Sequence, residues 1–275
     1  MLNIGCHLPN TNGLYGMASI ANMIGGNTFQ FFLRNPISGK LIDNDNDEID
    51  KFKKFSKENS FSKIVAHSPY TINLCSSKVN VRKYSMKTLE NDLLRMDLVE
   101  GNLYNLHPGC HTGLGIKEGI KYIAEAIGHI FSKNFKTTLV LEMMSGKGTE
   151  IGSKFSEIAE IIYESGIKEK IGVCFDTCHM SDAGFDFQNL DKILEDFDKI
   201  VGIDKLKLIH LNDNKNPIGS RKDRHEKIGH GYLGIEVFKK IVNNRDLKNL
   251  PFILETPGGL ANYAEEIAFL KGLTE

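Results

Sequence analysis

The sequence predicts a single-domain (β/α)8 TIM barrel of the α/β class, with its functional groups at the C-terminal ends of the strands. Three observations predict it. Eight short runs rich in Ile, Val, Leu and Phe recur along the chain, each followed by a helix-length amphipathic stretch. The length, 275 residues, is close to the ~250 typical of one such barrel. No low-complexity linker or break in composition divides the chain, so residues 1–275 read as one domain.

The strand runs fall at 2–8, 28–33, 63–68, 103–108, 137–143, 171–176, 206–211 and 252–256. Continuous apolar runs of this length suit strands buried on both faces, as a parallel sheet requires. The clearest helix spans 115–133, where Ile116, Ile120, Ile123, Ile127 and Ile130 recur at three or four residues and charges take the other face. A second spans 80–100, through Met86, Leu89, Leu93, Met96 and Val99. Gly166 and Gly202 fall where helix C-caps belong. The acidic run DNDNDE at 43–48 looks like the start of a calcium loop but lacks the later spacing of an EF-hand, and it reads as a solvated turn.

Composition bounds the function. With 34 Lys and Arg against 35 Asp and Glu the formal net charge is -1, so overall charge gives no argument for nucleic acid; polyanion binding would need local charge or bound cations. The opening MLNIGCHLPNTNG lacks a basic region followed by a long apolar stretch, and no run approaches the ~18 apolar residues of a membrane span. The five cysteines make no CxxC pair, which fits a reduced, cytoplasmic setting with most of them small core residues. Cys110 and Cys178 flank candidate ligands, but sulfur better suits a closed structural zinc site.

The polar residues at the strand ends carry the chemistry. They are His7, His67 in AHSPY, His107 in NLHPGCH, Glu142 in LVLEMM, Asp176 and His179 in CFDTCH, His210 in LIHLND, and Glu255 in FILETP. Asp223 and His225, in RKDRH, follow the seventh strand. A charge or imidazole buried at the end of an apolar strand is costly unless paired or bound to a metal. Imidazole and carboxylate without obligatory thiolate suit zinc, manganese or iron with open positions. His67, His107, Glu142, Asp176, His179, His210, Asp223, His225 and Glu255 are too many for one tetrahedral ion and suit a cluster of two or three. Asp176 and His179 lie three apart and can both aim inward from a first helical turn. Asp223 and His225, two apart, can point the same way if the loop is extended.

In order and at barrel spacing, the segments HLNDNKNPIGSRKDRH, CFDTCH and NLHPGCH, with the Glu142 strand and its following GKG, give the chain a resemblance to the endonuclease IV family (AP endonuclease family 2), zinc enzymes that cut DNA at abasic sites. The match runs from GCH near the start to LETP near the end. The resemblance implies three zinc ions, with manganese or iron as alternatives at some positions. His67 and His107 would hold the first, Glu142 would bridge to the second, Asp176, His210 and Glu255 would complete that one, and His179, Asp223 and His225 would hold the third. Glu142, Glu255 and Asp176 are implied as the catalytic carboxylates. Three divalent ions against four carboxylates leave a positive surplus where a phosphodiester would lie. The implied reaction cuts double-stranded DNA 5′ to the abasic sugar, leaving a 3′-hydroxyl, with 3′-end cleaning as a further expectation. A monomer is implied.

For DNA contacts the resemblance implies Tyr70, in HSPYTIN, as an inserting tyrosine. Arg34 would serve partly in a loop, 34–39, where family members commonly place an Arg and a Trp after the Asn; this chain has no tryptophan. Arg221 and Arg224, with Lys215, Lys222 and Lys227, are expected to face phosphates. His230 stands where the family often has an acidic residue. Two other readings compete. A sugar isomerase or epimerase would use Glu142, Asp176, His210 and Glu255 around one or two ions but leaves the His67/His107 and Asp223/His225 pairs unexplained. A non-catalytic relative would be expected to lack part of the ligand set, and none is missing.

Overall fold

The computed structural model describes residues 2–11, 13–41, 46–99 and 101–275. Among them the strands are β1 (Ile4–Leu8), β2 (Thr28–Phe32), β3 (Val65–His67), β4 (Leu103–Leu106), β5 (Gly109–Cys110), β6 (Thr138–Glu142), β7 (Glu150–Ile151), β8 (Ile171–Asp176), β9 (Leu206–His210), β10 (Asp213–Asn214), β11 (His225–Glu226) and β12 (Phe252–Leu254). The helices are α1 (Gly13–Met23), α2 (Asn46–Glu58), α3 (Val79–Met96), α4 (Ile116–Phe131), α5 (Phe155–Ser165), α6 (Thr177–Ala183), α7 (Leu190–Ile200), α8 (Ile235–Asn243) and α9 (Gly259–Gly272).

β1, β2, β3, β4, β6, β8, β9 and β12 close a parallel barrel in chain order, with β12 pairing back onto β1. These are the eight expected runs, β8 with the expected bounds and the other seven trimmed by a residue or two at one or both ends. The pairs β5–β7 and β10–β11 are two-residue antiparallel ribbons in the loops beyond the strand ends. Apolar patterning does not reveal ribbons that short.

Each barrel strand has two apolar faces with different partners. Val65, Leu103, Val140, Cys174, Leu208 and Ile253 form a sealed cluster of their own inside the barrel. Their neighbours of opposite parity, such as Ala66, Tyr104, Leu139, Val173 and Leu254, pack outward against the helices. α4 supplies the expected stripe through Ile120, Ile123, Ile127 and Ile130, while Ile116 at its start remains exposed. α3 buries Leu89, Leu93 and Met96 and stops at Asp97, whose carboxylate accepts from the Lys136 and Thr137 amides and so ties the helix end to β6. Residue 100, the expected end of that helix, lies outside the described residues. Gly166 (φ 72°) ends α5, and Gly202 (φ 107°), one residue past the α7 C-cap, donates to Phe197 O; glycine enters this left-handed region without a Cβ penalty. Of the acidic run, residues 43–45 lie outside the described residues, and Asp47 and Glu48 sit in the first turn of α2, where carboxylates favour the helix dipole.

Candidate metal centre

The barrel's period of two places the site. Two residues beyond the six positions of the sealed layer, and beyond Gly5 and Thr28 in β1 and β2, the next inward side chain is polar: His7, Gln30, His67, Asn105, Glu142, Asp176, His210 and, just past β12, Glu255. A dry apolar plug therefore closes the barrel directly beneath a polar floor.

Three groups of side chains bring ligand atoms within 4.8 Å of one another: His67, His107 and Glu142; Glu142, Asp176 and His210; and Asp176, His179 and His225. Glu142 faces two ways, Oε2 toward His67 Nε2 (3.4 Å) and His107 Nε2 (3.2 Å), Oε1 toward His179 Nδ1 (3.1 Å) and His210 Nδ1 (3.3 Å). Glu255 Oε2 lies 3.3 Å from His210 Nδ1. Asp176 Oδ2 stands 3.7 Å from both His210 Nδ1 and His225 Nε2, so this carboxylate touches the second and third groups alike. Asp223 Oδ1 is 3.1 Å from His179 Nε2 and 3.9 Å from His225 Nε2.

Local structure explains these orientations. Asp176 caps α6, its Oδ1 accepting from the His179 N–H at 2.8 Å, which leaves Oδ2 for the site and turns the His179 side chain back over the barrel mouth. Backbone carbonyls occupy the far ring nitrogens: His67 Nδ1 is 2.7 Å from Ser68 O, and His225 Nδ1 is 3.2 Å from Glu255 O. In each case the remaining nitrogen faces the cluster, the arrangement that holds a metal-ligating imidazole. The segment carrying Asp223 is not extended; Arg221 (φ 53°) and Asp223 (φ 55°) are both left-handed. Buried Asp182 clamps it, Oδ2 accepting from the Lys222 N–H (2.9 Å) and the Asp223 N–H (2.5 Å), and Oδ1 from Asn214 Nδ2 (2.8 Å). Asp213 holds the next turn, accepting from the backbone of Gly229, Gly231 and Leu233. The His230 side chain is exposed, and nothing in the structure explains the change from an acidic residue there.

Electrostatics bind the cluster. Burial alone would raise the Glu142 carboxyl, but His107 and His210 overcome it and hold it well below the usual carboxylate range. Burial likewise opposes ionisation of Glu255 and Asp223; His210 and His7 keep Glu255 well down, and His179 and His225 bring Asp223 to about 2. Burial would lower His179 and His210, yet both are driven well above an ordinary imidazole, His179 by Asp176, Asp223 and Glu142, His210 by Cys174, Glu255 and Glu142. At His67 burial wins and the value falls. Even so, three buried ligand atoms facing the cluster, Glu142 Oε1, His210 Nδ1 and His225 Nε2, have no hydrogen-bond partner. Orphaned atoms of this kind are costly in a dry site. Imidazole nitrogens and carboxylate oxygens at this spacing fit divalent metal ions. Among the described residues no cysteine joins these groups, and burial pushes the Cys178 thiol up.

The expected DNA contacts divide. Tyr70 is 68% exposed on the rim, its ring 5.6 Å from Phe32 and 6.5 Å from that of His107. Arg221 and Arg224 are exposed beside Asp223, with Lys215 and Lys222. Arg34 does not present its guanidinium to the rim. Its Nε lies 2.6 Å from Oδ1 of fully buried Asp92, which also accepts from Tyr104 OH, and its backbone bridges to Leu41 at the base of a hairpin. The tip of that hairpin is Ile37, 82% exposed. Asn35 braces the tip by accepting from the Ile37 and Ser38 amides. Three polar residues escaped the sequence reading: Gln30; Asn105, which donates to Glu142 Oε2 at 2.5 Å; and Asn212, which donates to Asp176 Oδ2 at 2.7 Å. Gln30 and Asn105 were signalled, each being a polar residue with an amide side chain interrupting an apolar strand (TFQFF, LYNL).

Comparison with known proteins places this arrangement among relatives. A family described as "Xylose isomerase-like TIM barrel" matches residues 18–273. The "Probable endonuclease 4" of Clostridium beijerinckii is 51% identical over 274 residues, 99% of each chain. That of Clostridium botulinum is 51% identical over 272 residues, 98% of each chain. Among solved structures, endonuclease IV from Thermus thermophilus superposes with a TM-score of 0.87 at 26% identity over 98% of each chain. A D-tagatose 3-epimerase-like protein, at 18% identity and a TM-score of 0.72, shares the fold over 98% of this chain and 96% of its own.

Proposed function

The chain belongs to the endonuclease IV family, and from that membership we propose that it is a metal-dependent DNA-repair endonuclease. Its substrate is double-stranded DNA with an abasic site. It hydrolyses the phosphodiester 5′ to that site, leaving a 3′-hydroxyl and a 5′-deoxyribose phosphate, and it also removes 3′ blocking groups. It acts as a monomer with one barrel domain, residues 1–275, in the cytoplasm with access to chromosomal DNA. Among the described residues no helix is long and apolar enough to cross a membrane.

The observation that carries this reading is the meeting of nine side chains, His67, His107, Glu142, Asp176, His179, His210, Asp223, His225 and Glu255, over one dry barrel floor with orphaned ligand atoms among them. In this reading they hold three zinc ions, with manganese or iron at some positions. Bound there, the ions supply Lewis acidity and water activated near neutral pH. Glu142 would be shared between two ions, Asp176, His210 and Glu255 would complete the second, and Asn105 and Asn212 keep the carboxylates turned inward. The open edge supports a large substrate: the His107 and Asp223 side chains are 28% and 32% exposed, whereas Glu142, Asp176 and His210 are sealed. A phosphodiester approaches across that edge. Tyr70 and Ile37 flank the lesion, where a missing base lowers the energy needed to open the stack. Arg221 and Arg224 contact backbone phosphates, and Arg34 acts by holding the hairpin.

The test is a labelled duplex with one abasic-site analogue, incubated with and without a strong chelator. Chelator-sensitive cleavage just 5′ of the analogue is the expected result. Intact DNA in the presence of protein with confirmed bound metal would overturn the reading in favour of the sugar epimerase chemistry found on the same fold.

A further inference from the structure

We propose that Gln30 is a positioning residue that sets both the imidazole tautomer and the carboxylate orientation of the ligands around Glu142, Asp176 and His210. The proposal rests on the metal-centre reading above and concerns a residue outside the ligand set. Gln30 is the central residue of β2 and is fully buried. Its side chain reaches two residues far away in sequence. Gln30 Nε2 donates to Glu255 Oε1 at 2.6 Å, and Gln30 Oε1 lies 2.8 Å from His210 Nε2. The same Nε2 lies 3.0 Å from His7 Nδ1.

The chemistry leaves one arrangement. A carboxylate only accepts, so the amide nitrogen must face Glu255 and the carbonyl oxygen must face His210. His210 therefore carries its proton on Nε2. Its Nδ1 is left facing Glu142 Oε1 (3.3 Å), Asp176 Oδ2 (3.7 Å) and Glu255 Oε2 (3.3 Å), and it has no hydrogen-bond partner. The same side chain draws Oε1 of Glu255 to the wall, so Oε2 is the oxygen that turns to the cluster. His7, whose Nδ1 is also 3.3 Å from Glu255 Oε1, backs the amide from β1. Partners of this kind commonly tune metal affinity by about 10–100-fold.

The experiment uses the metal-loaded full chain and reads ion retention against a chromogenic chelator, together with the visible spectrum of the cobalt-loaded protein. Gln30→Met and Gln30→Leu remove both hydrogen bonds at similar volume. Thr28→Val lies on the same strand and face, and it removes a buried bond to Lys63 O without touching the ligands. The expected result is that either Gln30 variant, at a melting temperature no lower than that of Thr28→Val, releases one ion about 10–100-fold more readily and shifts the cobalt bands. Wild-type retention and spectrum in Gln30→Met and Gln30→Leu, or equal loss in Thr28→Val, would overturn the proposal while leaving the metal-centre reading intact. A wild-type chain that holds no ion would overturn both.

Discussion

Asp182→Ala is expected to release the ion at the His179, Asp223 and His225 group while leaving the barrel folded. Asp182 accepts two backbone N–H bonds on Oδ2, from Lys222 and Asp223, and a third bond on Oδ1 from Asn214. Hydrogen bonds to a charged acceptor contribute about 1.5–3 kcal/mol each, so the two backbone bonds supply roughly 3–6 kcal/mol. They oppose the strain of two left-handed residues, Arg221 and Asp223, at about 1–2 kcal/mol apiece. In the wild type the clamp outweighs the strain. In Asp182→Ala the balance reverses, the exposed segment relaxes toward ordinary backbone angles, and Asp223 swings away from His179. Asp182→Asn can keep its one oxygen in the place of Oδ2 and retain both backbone bonds, but at about 0.5–1.5 kcal/mol each to a neutral acceptor, which brings the two terms near parity. Elemental analysis should find one ion fewer in Asp182→Ala, and hydrogen exchange should accelerate over residues 219–226 with little change in the barrel strands. Full metal content with unchanged exchange in that segment would refute the reasoning.

Four further outcomes follow from the structure. His179 and His210 have folded-state values well above the ordinary imidazole, so in the metal-free protein their stabilisation is complete below the unfolded value and is lost as pH rises through the folded one; thermal melts of chelated protein against pH should show that fall. Metal uptake must displace those protons, so the affinity for zinc weakens as pH drops, which competition with a chelator at two pH values measures. Arg34→Met leaves Asp92 buried without its cation and should cost about 3–5 kcal/mol in denaturant unfolding; a loss of DNA affinity with unchanged stability would point instead to a direct phosphate contact. Tyr70→Ala removes an exposed ring beside His107 and should weaken binding of abasic duplex by about 1–3 kcal/mol, read by titration of a chelated enzyme, without changing its unfolding.

Much of the site could be read before the fold was known, because a barrel turns sequence periodicity into geometry. His67, Glu142, Asp176, His210 and Glu255 each follow an inward apolar residue by two positions, so a list of strand ends is already close to a map of the barrel mouth. The spacing of Asp176 and His179 was legible for the same reason, as an N-cap and the third residue of a helix. The DRH segment was legible as chemistry but not as backbone. Nothing in those residue types announces a left-handed Asp223, since its conformation is imposed by Asp182 from another loop.

By itself the sequence determined the barrel, from eight buried runs and their helices, and the candidate ligand set, from polar residues that interrupt those runs. Apolar burial and a period of two are local properties, and they survive in one dimension. Only the tertiary structure decided which polar side chains point at one another. Gln30 meets Glu255 across 225 residues of chain and His210 across 180. Arg34 turns from the rim to a carboxylate on α3, and an exposed Ile37 takes the hairpin tip. Such pairings depend on barrel closure and on the desolvation of each charge. Both are properties of the closed barrel as a whole, and no stretch of the chain contains them.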